Sequence, residues 1–549
     1  MKSKLITKWP IKAANRAMLR AVGYNDYDFN KFQVGIASTW SNITPCNNHI
    51  NVLAKAVEYG VNSKFCKGTI FNTITVSDGI SNGNFGMKYS LLSRDIISNS
   101  IEVVGKAQNF DGIISIGGCD KNIPGCIIGM CNLEIPSIFI YGGTILPGKN
   151  RTDIVSVFES LGKFYNKTIN EKELLNIEKN SIIGSGSCSG MYTANSMAIV
   201  AECLGISLPN SSIQNAQSIN KIVNCINSGK LIKILLENNI TIKKIINKES
   251  ILNSIKVISL LGGSTNCLIH LLAIANCLKI NLSLKDLQFE TNNLPTLSDL
   301  KPSGKFFISD LINTGGIQKF LKYLIDINLI NGNLLTVTGN SLKENLKFIK
   351  INYKNKILKD INNPVKKTNQ IKILFGNLSI NGCISKISGK EGEIFFGKAL
   401  VFNSEEESVN YIYKKKIQNN TIIIIRYEGP KGGPGMREML TPTSALIGVG
   451  KKNSVALITD GRFSGGSHGF VVGHISPEAY DFGTICLINN NDLIIIDTIN
   501  NFISLFLNKR SLKSRFYKVK IFNKIVSGIL NLYKKYSICS SKGALLNYE

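Results

Sequence analysis

The stretch Phe110-Asp111-Gly112-Ile113-Ile114-Ser115-Ile116-Gly117-Gly118-Cys119-Asp120-Lys121-Asn122-Ile123-Pro124-Gly125 decides how this chain is read. Its first half is a short apolar run, the pattern of a buried strand. A glycine pair follows, and glycines let a backbone turn tightly and approach a ligand closely. Three chemically capable residues come next. The Cys119 thiolate suits soft iron, the Asp120 carboxylate suits a hard cation such as magnesium, and Lys121 brings an amine open to modification. The plainer reading is a tight turn with a buried cysteine and a solvated Asp120–Lys121 pair.

The order strand, turn, helix recurs on both sides of this stretch. Residues 11–22 read as a helix and Phe32–Ser38 as a strand. That strand runs into Thr44-Pro45-Cys46-Asn47, and a helix is expected from there to Tyr59. Cys46 would then lie near a helix N-terminus, where the dipole and free N–H groups favour a thiolate. Residues 71–80 read as a strand ending in Asp78-Gly79, and residues 87–102 as a helix. Downstream, Ser137–Tyr141 is a strand before Gly142-Gly143. Residues 181–192 repeat strand, glycine-rich turn, cysteine (Cys188) and helix, and Gly262-Gly263-Ser264-Thr265-Asn266 is one more turn before an apolar helix. The alternation predicts an α/β layered domain with ligand-holding loops along one sheet edge.

After about residue 345 the texture changes. Residues 350–367 are polar and rich in lysine and asparagine, a candidate linker. Beyond them, short β-like runs such as Ile394-Phe395-Phe396, Ile422-Ile423-Ile424-Ile425, Val455-Ala456-Leu457-Ile458 and Leu493-Ile494-Ile495-Ile496 alternate with glycine-rich turns, which predicts a barrel or sandwich. The expected division is an N-terminal α/β domain over 1–355 and a smaller C-terminal β-barrel-like domain over 356–549, with a helix at 521–536. At 549 residues the chain exceeds the size at which one core stops growing, which agrees with two domains.

The formal charge of +27 invites a nucleic-acid reading. The excess lysine is spread among isoleucine and asparagine, and no zinc-finger, homeodomain or aromatic RNA-binding signature accompanies it, so no specific nucleic-acid role is expected. A positive field would still draw in a small anionic substrate. The 13 cysteines are odd in number and scattered, which points to reduced thiols in a cytoplasmic compartment. Most, such as Cys203, Cys225 and Cys277, read as core residues. No apolar run reaches the ~18 residues of a membrane span. The N-terminus lacks the apolar centre of a signal peptide. It is free of acidic residues up to Asp26, which weakly resembles a transit peptide, although a basic surface segment is the favoured reading.

Cys46, Cys119 and Cys188 each sit in a glycine-, proline- or serine-rich turn. Far apart in sequence, they can still converge at one sheet edge, and three thiolates would leave one iron of a cluster short of a cysteine ligand. The alternative is three buried structural cysteines. Asp78, Asp120 and Glu438 lie in similar turns and could hold a divalent cation, or merely cap turns. Two glycine-rich signatures stand in the second half, Arg426-Tyr427-Glu428-Gly429-Pro430-Lys431-Gly432-Gly433-Pro434-Gly435-Met436-Arg437-Glu438 and Thr459-Asp460-Gly461-Arg462-Phe463-Ser464-Gly465-Gly466-Ser467-His468-Gly469. Ser464 can face a cleft, but no Gly-x-Ser-x-Gly elbow surrounds it, which argues against acyl transfer. His49, His270, His468 and His474 read as structural or surface residues.

These motifs, with Val76-Ser77-Asp78-Gly79-Ile80, Gly86-Met87-Lys88-Tyr89-Ser90-Leu91 and Gly186-Ser187-Cys188-Ser189-Gly190-Met191-Tyr192, resemble the dihydroxy-acid dehydratase family, which also contains 6-phosphogluconate and sugar-acid dehydratases. The resemblance runs from about Ala14 to about Ser514. It implies that Cys46, Cys119 and Cys188 ligate a [2Fe–2S] or [4Fe–4S] cluster. It implies Mg²⁺ on Asp78, Asp120 and Glu438, a carbamylated Lys121 beside them, and Ser464 as the base. Asn42 and Asn48 beside Cys46, and Gln318 in place of a common proline, depart from the pattern without removing a ligand. The implied reaction is a dehydration of 2,3-dihydroxy-3-methylbutanoate and 2,3-dihydroxy-3-methylpentanoate, on the valine and isoleucine routes. Ser464 takes the C2 proton, the C3 hydroxyl departs at the open iron, and the enol tautomerises to a 2-keto acid. A homodimer or dimer of dimers is the implied assembly, and a sugar acid is the alternative substrate.

Overall fold

A computed structural model describes residues 1–351, 356–387, 392–465, 467 and 469–547. Part of the candidate linker, the residue before the expected domain boundary, and Gly466 and His468 of the second glycine-rich signature lie outside the described residues.

The first half is built on a four-stranded parallel sheet of β1 (Phe32–Ser38), β2 (Cys66–Asn72), β3 (Gly112–Gly117) and β4 (Ser137–Tyr141), in the order β2-β1-β3-β4. Every residue of β3 and β4 is buried. That is why these strands read as unbroken apolar runs: a parallel sheet is covered on both faces. The covering helices include Ile50–Val61, Lys88–Ala107, Asn122–Leu133 and Ile219–Glu237. Ile50–Val61 and Ile219–Glu237 cross closely at glycines: a Cβ on Gly60 would lie 2.1 Å from the Ile226 carbonyl oxygen.

The second half closes into a barrel. Its strands are β5 (Ile371–Gly376), β6 (Ser379–Lys386), β7 (Ile394–Phe402), β8 (Thr421–Ile425), β10 (Val455–Thr459), β12 (Phe470–Ser476), β13 (Leu493–Asp497) and β14 (Phe502–Leu505). Around the barrel the order is β10-β12-β6-β5-β14-β13-β7-β8, while β9 (Glu438–Met439) and β11 (Arg462–Phe463) form a separate parallel pair. Strand alternation divides β5 and β6 between two cores. Leu374 and Cys383 point into the barrel, whereas Ile371, Ile373 and Ile384 join the core of the first half. The α/β reading with a C-terminal barrel therefore holds.

Several local expectations change. The strand expected over 71–80 stops at Asn72, because its partner β1 ends at Ser38 in register with it; Asp78 instead opens a short helix, Asp78–Ser81. Residues 181–183 do not add a strand: Ser181 ends the helix Glu171–Ser181, and Ile182 makes only an isolated bridge to Pro147. The last helix is shorter than expected, Gly528–Tyr536, and another precedes it at Lys509–Lys518. The described part of the lysine-rich segment is pinned, with Leu358 bridged to Ser298 and Lys366 to Thr296. Among the described residues no helix is long and apolar enough to cross a membrane.

Candidate active site

Loops at the C-terminal edge of the parallel sheet carry the predicted cysteines. After β3, Gly118 passes directly over the Cys46 turn: a Cβ there would lie 2.2 Å from the Cys46 carbonyl oxygen, so glycine alone allows the stacking. Asn122 fixes the register. Its side-chain oxygen accepts from the Cys119 amide (2.9 Å), the Asn47 side chain (2.8 Å) and the Thr75 hydroxyl (3.2 Å), joining both cysteine turns to the segment before Asp78. The Cys188 loop docks on the same edge. Gly186 N–H donates to Pro45 (2.8 Å), Ser187 N–H to Gly143 (2.9 Å), and Asn195 donates to the Cys188 carbonyl (2.7 Å).

The three thiols are electrostatic neighbours and line one chamber. The helix after Cys46 begins only at Ile50, so the expected thiolate does not follow. The neighbouring Cys119 thiol and then burial push Cys46 well up, and burial pushes Cys188 up. Cys46 and Cys188 are therefore held as protonated thiols, which would have to give up their protons to bind a metal.

The Asp120–Lys121 pair is split, with Asp120 half-buried at the chamber wall and Lys121 withdrawn from water. Lys121 is 0% exposed and its amine lies against Asp78 and 3.5 Å from Glu438 Oε2. Ligand oxygens of Asp78, Asp120 and Glu438 all lie within 4.8 Å of one another, a group able to hold a metal ion. Glu438 is on β9 rather than in a turn. Three neighbours hold these oxygens: Ser90 donates to Asp78 (2.7 Å), and Asn266 (3.0 Å) and Arg462 (3.1 Å) donate to Glu438. Burial pushes Asp120 up to about 7, with Lys121 opposing and Asp78 and Glu438 adding to the shift. Burial works against the Lys121 ammonium, but Asp78 and Glu438 outweigh it and hold its pKa above the usual lysine range.

Thiols and carboxylates share a chamber of about 300 Å³, which Ser464 also lines. Ser464 follows β11, and its amide donates to the Met439 carbonyl (3.0 Å). The rest of the wall combines six apolar side chains, Ile80, Ile154, Val155, Phe158, Ile182 and Leu440, with polar Ser77, Asn82, Tyr192 and Thr193. The chain thus brings together Cys46, Cys119, Cys188, Asp78, Asp120, Glu438 and Ser464, with Lys121 directly behind. Reading by residue type missed Asn122, Asn266 and Arg462, although each sits inside a quoted motif. Of the described histidines, His49 meets the Gly142 carbonyl at 2.8 Å, and His270 and His474 are buried.

Residues 31–345 match the family model "Dihydroxy-acid/6-phosphogluconate dehydratase N-terminal", and residues 356–544 match its C-terminal counterpart. The chain is 51% identical to a dihydroxy-acid dehydratase of Vesicomyosocius okutanii over 97% of both chains. It is 50% identical to dihydroxy-acid dehydratase 2 of Pseudoalteromonas translucida, over 99% of this chain and 98% of the relative. A dihydroxy-acid dehydratase of Chromohalobacter salexigens is also 50% identical, over 99% of this chain and 96% of the relative.

Proposed function

The chain belongs to the dihydroxy-acid/6-phosphogluconate dehydratase family, and from that premise we propose that it dehydrates 2,3-dihydroxy-3-methylbutanoate and 2,3-dihydroxy-3-methylpentanoate to 2-keto acids. The activity is that of a hydro-lyase acting on a small dihydroxy acid. The observation that carries the choice of substrate is the apolar wall of Ile80, Ile154, Val155, Phe158, Ile182 and Leu440. Each buried methyl or methylene of a branched substrate gains about 0.8 kcal/mol there. Hydroxyls of a sugar acid set against these six side chains would go unsatisfied, which costs free energy.

The donor sets fit the implied cofactors: soft thiols suit iron, and grouped hard oxygens suit Mg²⁺. Cys46, Cys119 and Cys188 would hold the [2Fe–2S] or [4Fe–4S] cluster. Asp78, Asp120 and Glu438 would hold Mg²⁺, joined by Lys121 once carbamylated. Forming that carbamate joins the neutral Nζ amine to carbon dioxide, so the ammonium gives up two protons in all and a cation becomes an anionic oxygen donor. When bound, the cluster and the ion supply Lewis acidity toward the leaving hydroxyl and the substrate carboxylate.

The chain's own residues do the rest. Ser464 takes the C2 proton, and local positive charge must depress its pKa because an ordinary serine is a poor base. Asn266 and Arg462 keep Glu438 oriented toward the cation position. The apolar wall receives the substrate's methyl or ethyl branch and excludes water. The division into domains 1–355 and 356–549 then has a chemical sense, since the second half contributes Glu438 and Ser464 to a site otherwise carried by the first. A homodimer or dimer of dimers in a reducing cytoplasm completes the reading.

The test is a comparison of substrates on the reconstituted enzyme with Mg²⁺. We expect kcat/KM for 2,3-dihydroxy-3-methylbutanoate to exceed that for 6-phosphogluconate and for a six-carbon sugar acid by at least about 100-fold. Preference for either sugar acid would move the function to the other branch of the family.

A further inference from the structure

Behind Ser464 lies a second, smaller cavity of about 10 Å³, the size that holds one water. Thr265, Lys386, Ser464, Ser467 and His474 bring polar groups to its lining. Lys386 ends β6, and its Nζ is buried with no hydrogen-bond partner among the described residues. His474 Nδ1 on β12 is also buried and unpartnered. Buried polar groups are nearly always satisfied, so two exceptions at one cavity beside a reactive serine call for a chemical reason.

The charges around Lys386 sharpen the point. Cys267, on the helix Asn266–Cys277, is the titratable group that acts on it, and burial pushes that thiol up to about 12. Burial holds His474 down at about 3, so it too is neutral near pH 7. The Lys366 amine turns instead to the Ile387 carbonyl at 3.0 Å. No carboxylate pairs with Lys386 among the described residues. Burial holds the Lys386 amine down at about 8, which makes its neutral form accessible.

We propose that Lys386 is a positioning residue that takes the hydroxyl proton of Ser464 across this water-sized cavity and keeps the serine as an alkoxide. The proposal rests on the reading of Ser464 as the base. The Ser464 Oγ–H bond breaks and a Lys386 Nζ–H bond forms, directly or through one water that gains a proton and passes one on. The alkoxide takes the C2 proton of the substrate. The departing C3 hydroxyl takes that proton from Ser464 and leaves as water, so the alkoxide is restored and Lys386 stays an ammonium throughout. A lysine serves a serine in this way in other hydrolytic sites.

The test uses reconstituted wild type, K386M, K386Q and S464A. Wild-type kcat/KM is expected to rise with an apparent pKa near 8, belonging to the Ser464–Lys386 pair, because the extra proton below it leaves a neutral serine. In K386M and K386Q that limb is lost and kcat falls at least 100-fold, while KM and iron content stay within about twofold of wild type. A second readout needs no turnover. Unfolded lysine keeps its proton to about 10.4, so wild-type folding stability gains between pH 8 and 10.4 relative to K386M. Lys221, also held near 8, is common to both chains and cancels. A wild-type profile flat from pH 7 to 9 overturns the proposal whatever the variants do, and so does wild-type kcat in either Lys386 variant. An active S464A overturns the serine reading itself, whereas a dead S464A beside an unaffected K386M overturns only the role of the lysine.

Discussion

At the scale of single residues, the site is set less by its ligands than by what fixes them. Asn122 has one side-chain oxygen and three donors, from Cys119, Asn47 and Thr75. In Asn122→Ala the buried Cys119 amide loses its acceptor, at a cost of about 1–3 kcal/mol, while Asn47 keeps its bonds to Thr39. We expect a lower Tm and at most half the iron retained after reconstitution, measured by calorimetry and iron analysis. Unchanged loading would mean that the cysteine turns hold themselves. The candidate ligands were legible in the sequence through the family motifs around them, since residue type alone left structural cysteines and turn-capping carboxylates open. Asn122 was not, since an asparagine after a turn reads as an ordinary cap until its partners, 75 and 47 positions away, are seen. Lys386 was hidden for a similar reason, as one lysine among many in a basic chain.

Among the elements, the strands were legible where burial is complete and pairing is local to the run. Phe32–Ser38 and Ser137–Tyr141 begin and end where their apolar runs do. Residues 73–77 carry the same β-favouring composition but have no strand beside them, because β1 has already ended. Pairing is a long-range fact, and composition does not contain it. The glycine-rich element around 429–435 shows a different device. Glu478 accepts from the amides of Lys431 (2.9 Å) and Gly432 (2.7 Å), and burial, with Asp460 adding, pushes it up to about 8. Its folded pKa is above its unfolded value of about 4.3, so the stability it contributes is full below that pH and is lost as pH rises toward 8. Glu478→Gln is therefore predicted to match wild type near pH 4 and to exceed it by at least about 1 kcal/mol at pH 8, by urea unfolding. The same pH dependence in both chains would contradict this.

At the scale of the whole molecule, the two halves meet through buried polar ties as well as apolar packing. Lys121 of the first half reaches Glu438 of the second. Arg94, fully buried, donates to the carbonyls of Gly543 (3.0 Å) and Ala544 (2.7 Å) near the C-terminus and pairs with Asp95 (3.1 Å). Arg94→Met would leave Asp95 unpaired and release the C-terminal segment, a loss of about 3–5 kcal/mol that thermal unfolding would register. The central claim is that one chamber between these halves gathers three thiols and three carboxylates for a single dehydration. The direct measurement is iron, sulfide and the visible spectrum of the chain purified without oxygen, taken together with 2-keto acid formation from 2,3-dihydroxy-3-methylbutanoate in Mg²⁺. The account predicts a coloured protein that turns over and loses both properties in Cys119→Ser. A protein that stays colourless after reconstitution, or a Cys119→Ser variant that keeps its colour and its turnover, would contradict it.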